Sequence, residues 1–590
     1  MKKLIKLLKY ITKKEGILLF FAVILIVLQV GVELKMPDYM AEITRLVQTE
    51  GSSINDVIIN GAYMMACAIF SLIIAVFIGY LTSTVSSNFS KNVRKKLFSK
   101  VQDLAMNEVK EFSTSSLITR TTNDVTQVQM LVAMGLQLIV KATVTSIWAI
   151  TKILNKSWEW SMLTGIAVII LMSVVAVITV IVVPKFKIVQ KLIDNINEVV
   201  RKNLIGIRVV RAYNAEEYER EKFEDVNQRL TKQQLFNQKV FATMSPIMYL
   251  VLYGLTLAIY FVGAQLINDA QMADKLNIFG NMIVFSSYAM QVIMSFLMLA
   301  FIFMMLPRAQ VSAKRINEVL DTKISITDGN ISENATEQRG VIEFKNVSFK
   351  YPNAEDYILE DISFKVNQGE VVAFIGSTGS GKSTLINLIP RFYEATEGEI
   401  FIDGINVNDY SQKFLYNKLG YVPQKAVIFD GTVKYNVGYG DNGKGKITDE
   451  KIDEALKVAQ ASEFVEKLEQ KGDTIIASGG TNVSGGQKQR LAIARAIARE
   501  PEIYIFDDSF SALDYKTDKL LREELKKYAK DSTVLIVAQR VGTIMNADKI
   551  IVLDEGKVVG IGKHKELLRN CEVYKQIALS QLAKEELENE

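Results

Sequence analysis

The stretch GSTGSGKST, Gly376 to Thr384, holds residue types spaced for binding phosphate. It follows the apolar run EVVAFI and opens the run TLINLIP, which puts it on a loop between a strand and a helix. Gly376, Gly379 and Gly381 let backbone N–H groups approach phosphate oxygens. Ser377, Thr378 and Ser380 fill the loop between them, and the positive end of the helix adds its field. Lys382 is placed to reach the β- and γ-phosphates, and the hydroxyl of Ser383, next to Thr384, to sit on Mg²⁺. The apolar run EIYIF ends in Asp507, a second acidic anchor that holds the same ion through water. This is the chemistry of a nucleotide whose terminal phosphate is transferred.

A domain of alternating strands and helices must carry these groups. From residue 341 onward, β-branched runs such as VIEFKNVSFKY and VVAFIG alternate with helical stretches, an α/β pattern. The chain before it is different in kind. Of the 590 residues 49% are hydrophobic and 23% charged, so the two kinds must be segregated along the sequence. Residues 57–90, 160–184, 240–268 and 276–307 carry no formal charge, and each run is long enough to cross a bilayer core of about 30 Å. Residues 16–32 are also uncharged, and 125–151 are interrupted only by Lys141. Six spans are therefore expected, near 16–36, 57–83, 125–151, 160–184, 240–268 and 276–307. The domain reading is a transmembrane domain over 1–314, a polar linker over 315–340 and a nucleotide-binding domain with a small helical subdomain over 341–590.

Orientation follows from the basic residues. The first residues, MKKLIKLLKYITKKE, read as a basic amphipathic helix on the inner leaflet. A signal peptide is disfavoured, because no small-residue cleavage site follows the apolar run. Segment 91–124 contains Lys91, Arg94, Lys95, Lys96, Lys100, Lys110 and Arg120, whereas 33–56 has only Lys35 and Arg45. The positive-inside rule then places both termini, the segments 91–124 and 185–239 and the α/β domain in the cytoplasm. Both segments lack proline and repeat apolar residues at helical spacing, so each membrane helix is expected to continue past the bilayer and return through a short crossing helix. The net charge of +4 carries no nucleic-acid signature. Cys67 and Cys571 lie too far apart in sequence to suggest a disulfide framework or a thiolate metal site. The one histidine, His564, reads as an ordinary surface position.

The run NVSGGQKQRLAIARAIAREPEIYIFDDSFSALD, 482–514, resembles the signature helix, Walker B strand and D-loop of ATP-binding-cassette (ABC) ATPases. With six spans before it, nearly the whole chain resembles an ABC exporter half-transporter. The resemblance implies ATP and Mg²⁺ as ligands and adds residues to the site. Tyr351 matches the aromatic residue that stacks on adenine. Gln424, in VPQ, matches the Q-loop residue near the metal. Ser511, Ala512, Leu513 and Asp514 match the D-loop. Val483, Ser484, Gly485, Gly486 and Gln487 match the signature that completes the ATP site of a second subunit, so dimerisation is implied. Residues 114–129 and 204–219 look like the two coupling regions.

The sequence departs from the family at three places. The catalytic carboxylate after the Walker B aspartate is usually Glu, but Asp508 is one methylene shorter. The switch histidine is replaced by Gln539, which can hydrogen-bond a phosphate oxygen yet cannot become cationic. Ser478 also stands where an acidic residue is usual. The expected reading is a degenerate ATP site in one half of a heterodimeric exporter, whose signature completes the partner's competent site. A homodimer with Asp508 as active base is the alternative.

Cargo is less legible. Lys141 lies near mid-depth of its span, where charge is costly and marks a functional candidate that would attract an anion or a lipid headgroup, or pair with the partner. The last span carries Met282, Met290, Met294, Met298, Met304 and Met305 with Gln291. Methionine suits adaptable apolar contacts, although such a helix also serves simple packing. Amphipathic drugs or lipids are the preferred cargo by likeness of architecture. A peptide exporter and a non-transporting ATP-gated sensor stay open, while the long cytoplasmic segments argue against an importer.

Overall fold

The computed structural model describes residues 2–49, 51–154, 158–352 and 354–581. The chain forms two compact units, one of residues 1–102 and 114–322, the other of 103–113 and 323–590.

The first unit is all helix. Six helices, counted over the described residues, are long and apolar enough to cross a membrane. The first, Lys13–Glu33, opens on a capping box in which Thr12 and Glu15 satisfy each other's backbone N–H groups, and continues after a short break as Met36–Gln48. The second, Ile54–Asp103, has 50 residues and so runs about 75 Å, more than twice a bilayer core. The fourth, Trp158–Ile205, has 48 and turns back through the short helix Ile207–Ala212 into Glu216–Ala242. The third span is preceded by the short helix Thr114–Thr121 and built from Asn123–Met130, a π turn at Leu131–Gly135 and Leu136–Leu154. The fifth is Met244–Asp269, and the sixth, Met272–Asp321, carries its helix through residues 315–321. Outward apolar residues such as Phe20, Leu72, Phe77, Ile169 and Leu250 are exposed, as suits a surface facing lipid. Ile26, Val30, Ile78, Trp160, Phe285 and Tyr288 form the buried centre.

The N-terminal helix is also tied into this unit. Lys2–Leu8 buries Leu4 and Leu7 within the unit and leaves Ile5 exposed, so only part of its apolar face remains for the leaflet. Asn317 Nδ2 donates to the Lys3 carbonyl at 2.9 Å, and Lys3 and Lys6 pair with Asp321. The acidic end of the last helix offers these lysines a fixed partner.

The second unit holds two main sheets. An antiparallel sheet of Ile342–Phe349, Leu359–Val366, Glu397–Ile402 and Ile405–Asn406 stands beside a six-stranded one. The order of the latter is Lys557–Gly562, Lys549–Asp554, Val371–Gly376, Thr533–Val537, Ile503–Asp507, Leu419–Val422. All its pairs are parallel except the first. Alternate strand residues serve opposite faces, as the two-residue period demands. Ala373, Ile375, Tyr504, Phe506, Val534 and Ile536 enter one core, while Val372, Phe374, Ile503, Ile505, Leu535 and Val537 enter the other. Such near-continuous apolar strands are what a parallel sheet covered on both sides requires.

Residues 103–113 join this unit although they lie far upstream in sequence. They form the helix Met106–Phe112, with Leu104 and Glu108 buried. His564 also differs from the surface position expected. It is buried, with Nδ1 at 2.6 Å from the Tyr574 hydroxyl and its ring edge-on to that tyrosine, because the helix it opens packs against Glu572–Gln581.

Candidate functional site

Four adjacent parallel strands end at one place, the rim where an open α/β sheet binds ligands. Val371–Gly376 runs into the glycine loop, and Thr533–Val537 leads to Gln539. Ile503–Asp507 delivers Asp507 and Asp508, and Leu419–Val422 leads to Gln424. The sheet order brings together residues separated by more than a hundred positions.

The loop is shaped by its glycines. A Cβ at Gly376 would stand 2.0 Å from the Leu553 carbonyl oxygen, and Gly381 has a φ of 92°. Gly379, at φ 89°, has open space where its Cβ would point, as a cradle needs. Lys382 opens the helix Lys382–Leu388, and its ammonium is wrapped by the Gly376 carbonyl at 2.9 Å, the Ser377 carbonyl at 2.7 Å and Ser380 Oγ at 3.2 Å. No carboxylate among the described residues forms an ion pair with it. Burial pushes its pKa below the usual lysine range, against the opposing pull of Asp508 and Asp507. A buried cation held only by neutral oxygens suits a ligand that brings its own negative charge, as phosphate does. Thr378 and Ser377 are exposed beside it, and Thr384 Oγ1 lies 3.1 Å from the Tyr351 hydroxyl.

Ser383 Oγ donates to Asp507 Oδ1 at 2.8 Å. Burial raises the Asp507 carboxyl pKa, the Ser383 hydrogen bond lowers it and the Asp508 charge raises it. Hydroxyl, carboxylate and amide oxygens are the donors a hard divalent ion prefers. One carboxylate shared with substrate phosphates is the usual Mg²⁺ arrangement, so Ser383, Asp507 and Gln424 fit that ion.

Asp508 is 7% exposed and has a φ of 48°, a left-handed conformation that aspartate tolerates. One oxygen, Oδ2, accepts from Gln424 Nε2 at 3.1 Å and from Gln539 Nε2 at 2.8 Å. The residues expected to sense the γ-phosphate thus converge on the carboxylate expected to act as base. Gln581 in turn clamps the switch segment, donating to the Gln539 carbonyl at 2.7 Å and accepting from Val541 N at 2.8 Å.

The signature stands apart from this loop. Ser484 caps the helix Gly485–Ala498 in a capping box with Gln487, and Ser484 and Gly485 are exposed. Val483 packs against the core, and a Cβ at Gly486 would stand 3.3 Å from the Ala512 carbonyl. In the D-loop, Ser511 Oγ donates to the Asp508 carbonyl at 2.8 Å, Leu513 is buried and Asp514 caps the helix Tyr515–Tyr528. Tyr351 packs edge-on against Phe349 and Tyr393. The ammonium of Lys110 lies over both tyrosine rings, 5.3 and 5.2 Å from their centroids. Sequence reading missed Lys110, which shows there only as one basic residue among seven.

The family comparisons agree with this arrangement. The family model for the ABC transporter transmembrane region matches residues 19–296, and that for the ABC transporter matches 359–511. An ABC transporter ATP-binding protein of Mycobacterium tuberculosis is 38% identical over 522 residues, 88% of each chain. This chain is an ABC transporter. Another relative of this ABC transporter, the ATP-dependent lipid A-core flippase of Pseudomonas aeruginosa, is 32% identical over 497 residues, 83% of this chain and 80% of its own. The structure of a bacterial Atm1-family ABC exporter with ATP bound superposes with a TM-score of 0.83 over 97% of this chain and all of that one, at 23% identity, a likeness of fold. The protein is thus an ATPase-coupled transporter of the ABC class, with a six-helix membrane domain and an ATP-binding α/β domain.

In the membrane domain the other two candidates also meet. Lys141 and Gln291 line one cavity. Lys141 is paired within this chain, its Nζ 2.9 Å from Glu33 Oε1. Glu33 was missed because it follows the first apolar run directly and reads as the start of a loop. Met294 and Met298 line the same cavity, whereas Met282 packs in the core; the Met304 side chain lies outside the described residues.

Proposed function

We propose that this ABC transporter exports an amphipathic or hydrophobic molecule, a drug or a lipid, across the cytoplasmic membrane as one subunit of an asymmetric heterodimer. The observation that carries the reading is Asp508 Oδ2, shared by the side-chain amides of Gln424 and Gln539. A short carboxylate engaged by two amides is poorly placed to orient water for attack. The phosphate loop and Lys382 bind ATP, Tyr351 stacks on its base, and hydrolysis at this site is slow. Mg²⁺, held by Ser383, Asp507 and Gln424, neutralises phosphate charge when bound. Ser484 and Gly485 are exposed at a helix N-terminus, where with Gly486 they complete the site of the partner subunit. ATP held at the slow site keeps the closed pair populated while the other site turns over, a bias between two states. The kinship with lipid A-core flippases supports a lipidic cargo.

ATP turnover is the test, measured on the purified chain alone and again with the half-transporter that co-purifies from its native membrane. Negligible turnover alone, restored by a second subunit, supports the heterodimer. Robust turnover alone, abolished by Asp508→Asn, supports instead a homodimer in which Asp508 is a working base.

A further inference from the structure

Within the membrane unit lies a cavity of about 550 Å³. Five of its lining side chains are methionines, Met36, Met40, Met64, Met294 and Met298. Long, flexible thioethers adapt to apolar tails of varied shape. Its charged lining consists of Glu33 and Lys141, so the charges cancel. Glu33 Oε1 accepts from Lys141 Nζ at 2.9 Å, Gln29 Nε2 at 2.9 Å and Ser71 Oγ at 3.0 Å. The other oxygen, Oε2, accepts from no described residue. The two side chains keep 25% and 22% of their surface open, so neither is sealed off by the other. One π turn before Lys141, Leu131–Gly135, marks a local departure from the regular helix, of a kind frequent at functional sites.

We infer that this cavity binds a zwitterionic amphiphile, its cationic group at Glu33 Oε2, its anionic group at the Lys141 ammonium and its tail among the methionines. The inference rests on the proposed export of amphiphiles and specifies their headgroup. A cargo bearing one net charge adds that charge to a neutral Glu33–Lys141 pair and leaves the cavity with an unbalanced charge, an arrangement of high cost. A zwitterion keeps the site neutral and gives each charge a partner. The neutral pair also reverses the expectation from Lys141 alone, which is attraction of anions. A second ion pair, Lys152 to Asp38 at 3.0 Å, joins the same two spans, so structural tying of the spans does not depend on Glu33 and Lys141 alone.

The test uses the full chain in uncharged maltoside micelles without nucleotide. Three photoreactive amphiphiles share one alkyl tail and differ in headgroup: phosphocholine, phosphate monoester and trimethylammonium. Labelling of the cavity peptides is read by mass spectrometry. The phosphocholine probe is expected to label about tenfold more than either charged probe. Glu33→Gln should shift the preference to the phosphate probe and Lys141→Met to the trimethylammonium probe. The double variant keeps the cavity neutral, so it guards against misfolding of the single ones, and it should label equally with all three. Tailless glycerophosphocholine should not compete; full competition would make the ligand a soluble zwitterion and overturn the amphiphile. A charged probe labelling as strongly as phosphocholine in the unaltered chain, or a preference that survives the double variant, overturns the assignment and leaves ATP-driven export standing. An intact preference without ATP-dependent flux in reconstituted vesicles overturns export and leaves the cavity.

Discussion

If the proposed slow site is limited by reach, lengthening the side chain at position 508 should switch it on. In Asp508→Glu one methylene extends the carboxylate by about 1.5 Å. A misplacement of about 1 Å in such a site costs on the order of 100-fold in rate, or about 2.7 kcal/mol of barrier. The present carboxylate must also leave Gln424 and Gln539, 3.1 and 2.8 Å away, before it can hold a water. A longer carboxylate reaches past both amides. Glutamate is less at ease than aspartate at φ 48°, so the variant should lose up to about 1 kcal/mol of stability without losing the rate gain. Phosphate release is measured in the reconstituted pair, with the second subunit's catalytic glutamate changed to glutamine so that turnover reports this chain's site alone. A rise of about 100-fold is expected. An unchanged rate would refute reach as the limiting factor, and a parent already fast, then silenced by Asp508→Asn, would refute the degenerate site itself.

Other perturbations probe the surrounding structure. Lys382→Ala removes the cation wrapped by the Gly376 and Ser377 carbonyls, and should weaken binding of a fluorescent ATP analogue by roughly 10- to 100-fold, as loss of a charged hydrogen bond does. Gly376→Ala forces a Cβ to 2.0 Å from the Leu553 carbonyl oxygen, so the ATP-binding unit should fail to reach its folded thermal transition. Tyr574→Phe removes the hydroxyl 2.6 Å from buried His564 and should cost about 1–3 kcal/mol, read as a lowered melting temperature of the same unit. Lys6, then Lys3, holds the Asp321 carboxyl below its usual range. The folded pKa is depressed, so this tie is complete at neutral pH and is lost only as pH falls through that lowered value. Protection of the Leu7 amide, corrected for intrinsic exchange, should therefore hold from about pH 7 to 5 and fall in stronger acid, and Lys6→Gln should lower it throughout.

Much of the architecture was legible because solvent dictates it. Charge-free runs of span length have few stable alternatives to membrane helices, and β-branched runs ending at a glycine loop have few alternatives to a parallel sheet. The convergence of Lys382, Asp507, Asp508, Gln424 and Gln539 followed from motif order, since each sits just past a strand end. Glu33 was hidden, because an acid beside an apolar run looks like a helix terminus until Lys141 is seen opposite. His564 misled by its surroundings, as GIGKHKEL is polar while its partner, Tyr574, lies ten residues away. Residues 103–113 give no sign in sequence that they pack with the distant ATP-binding unit. A seven-residue helix has too short a period to show which partner covers it.

That eleven-residue segment has a consequence for biosynthesis. The ribosome makes residues 103–113 more than two hundred residues before the rest of the unit they belong to. Leu104 and Glu108 are buried in the finished fold, so the segment is made well before the unit that includes it is complete. The ATP-binding unit therefore completes its fold only when residues 323–590 meet a segment of the chain made long before them.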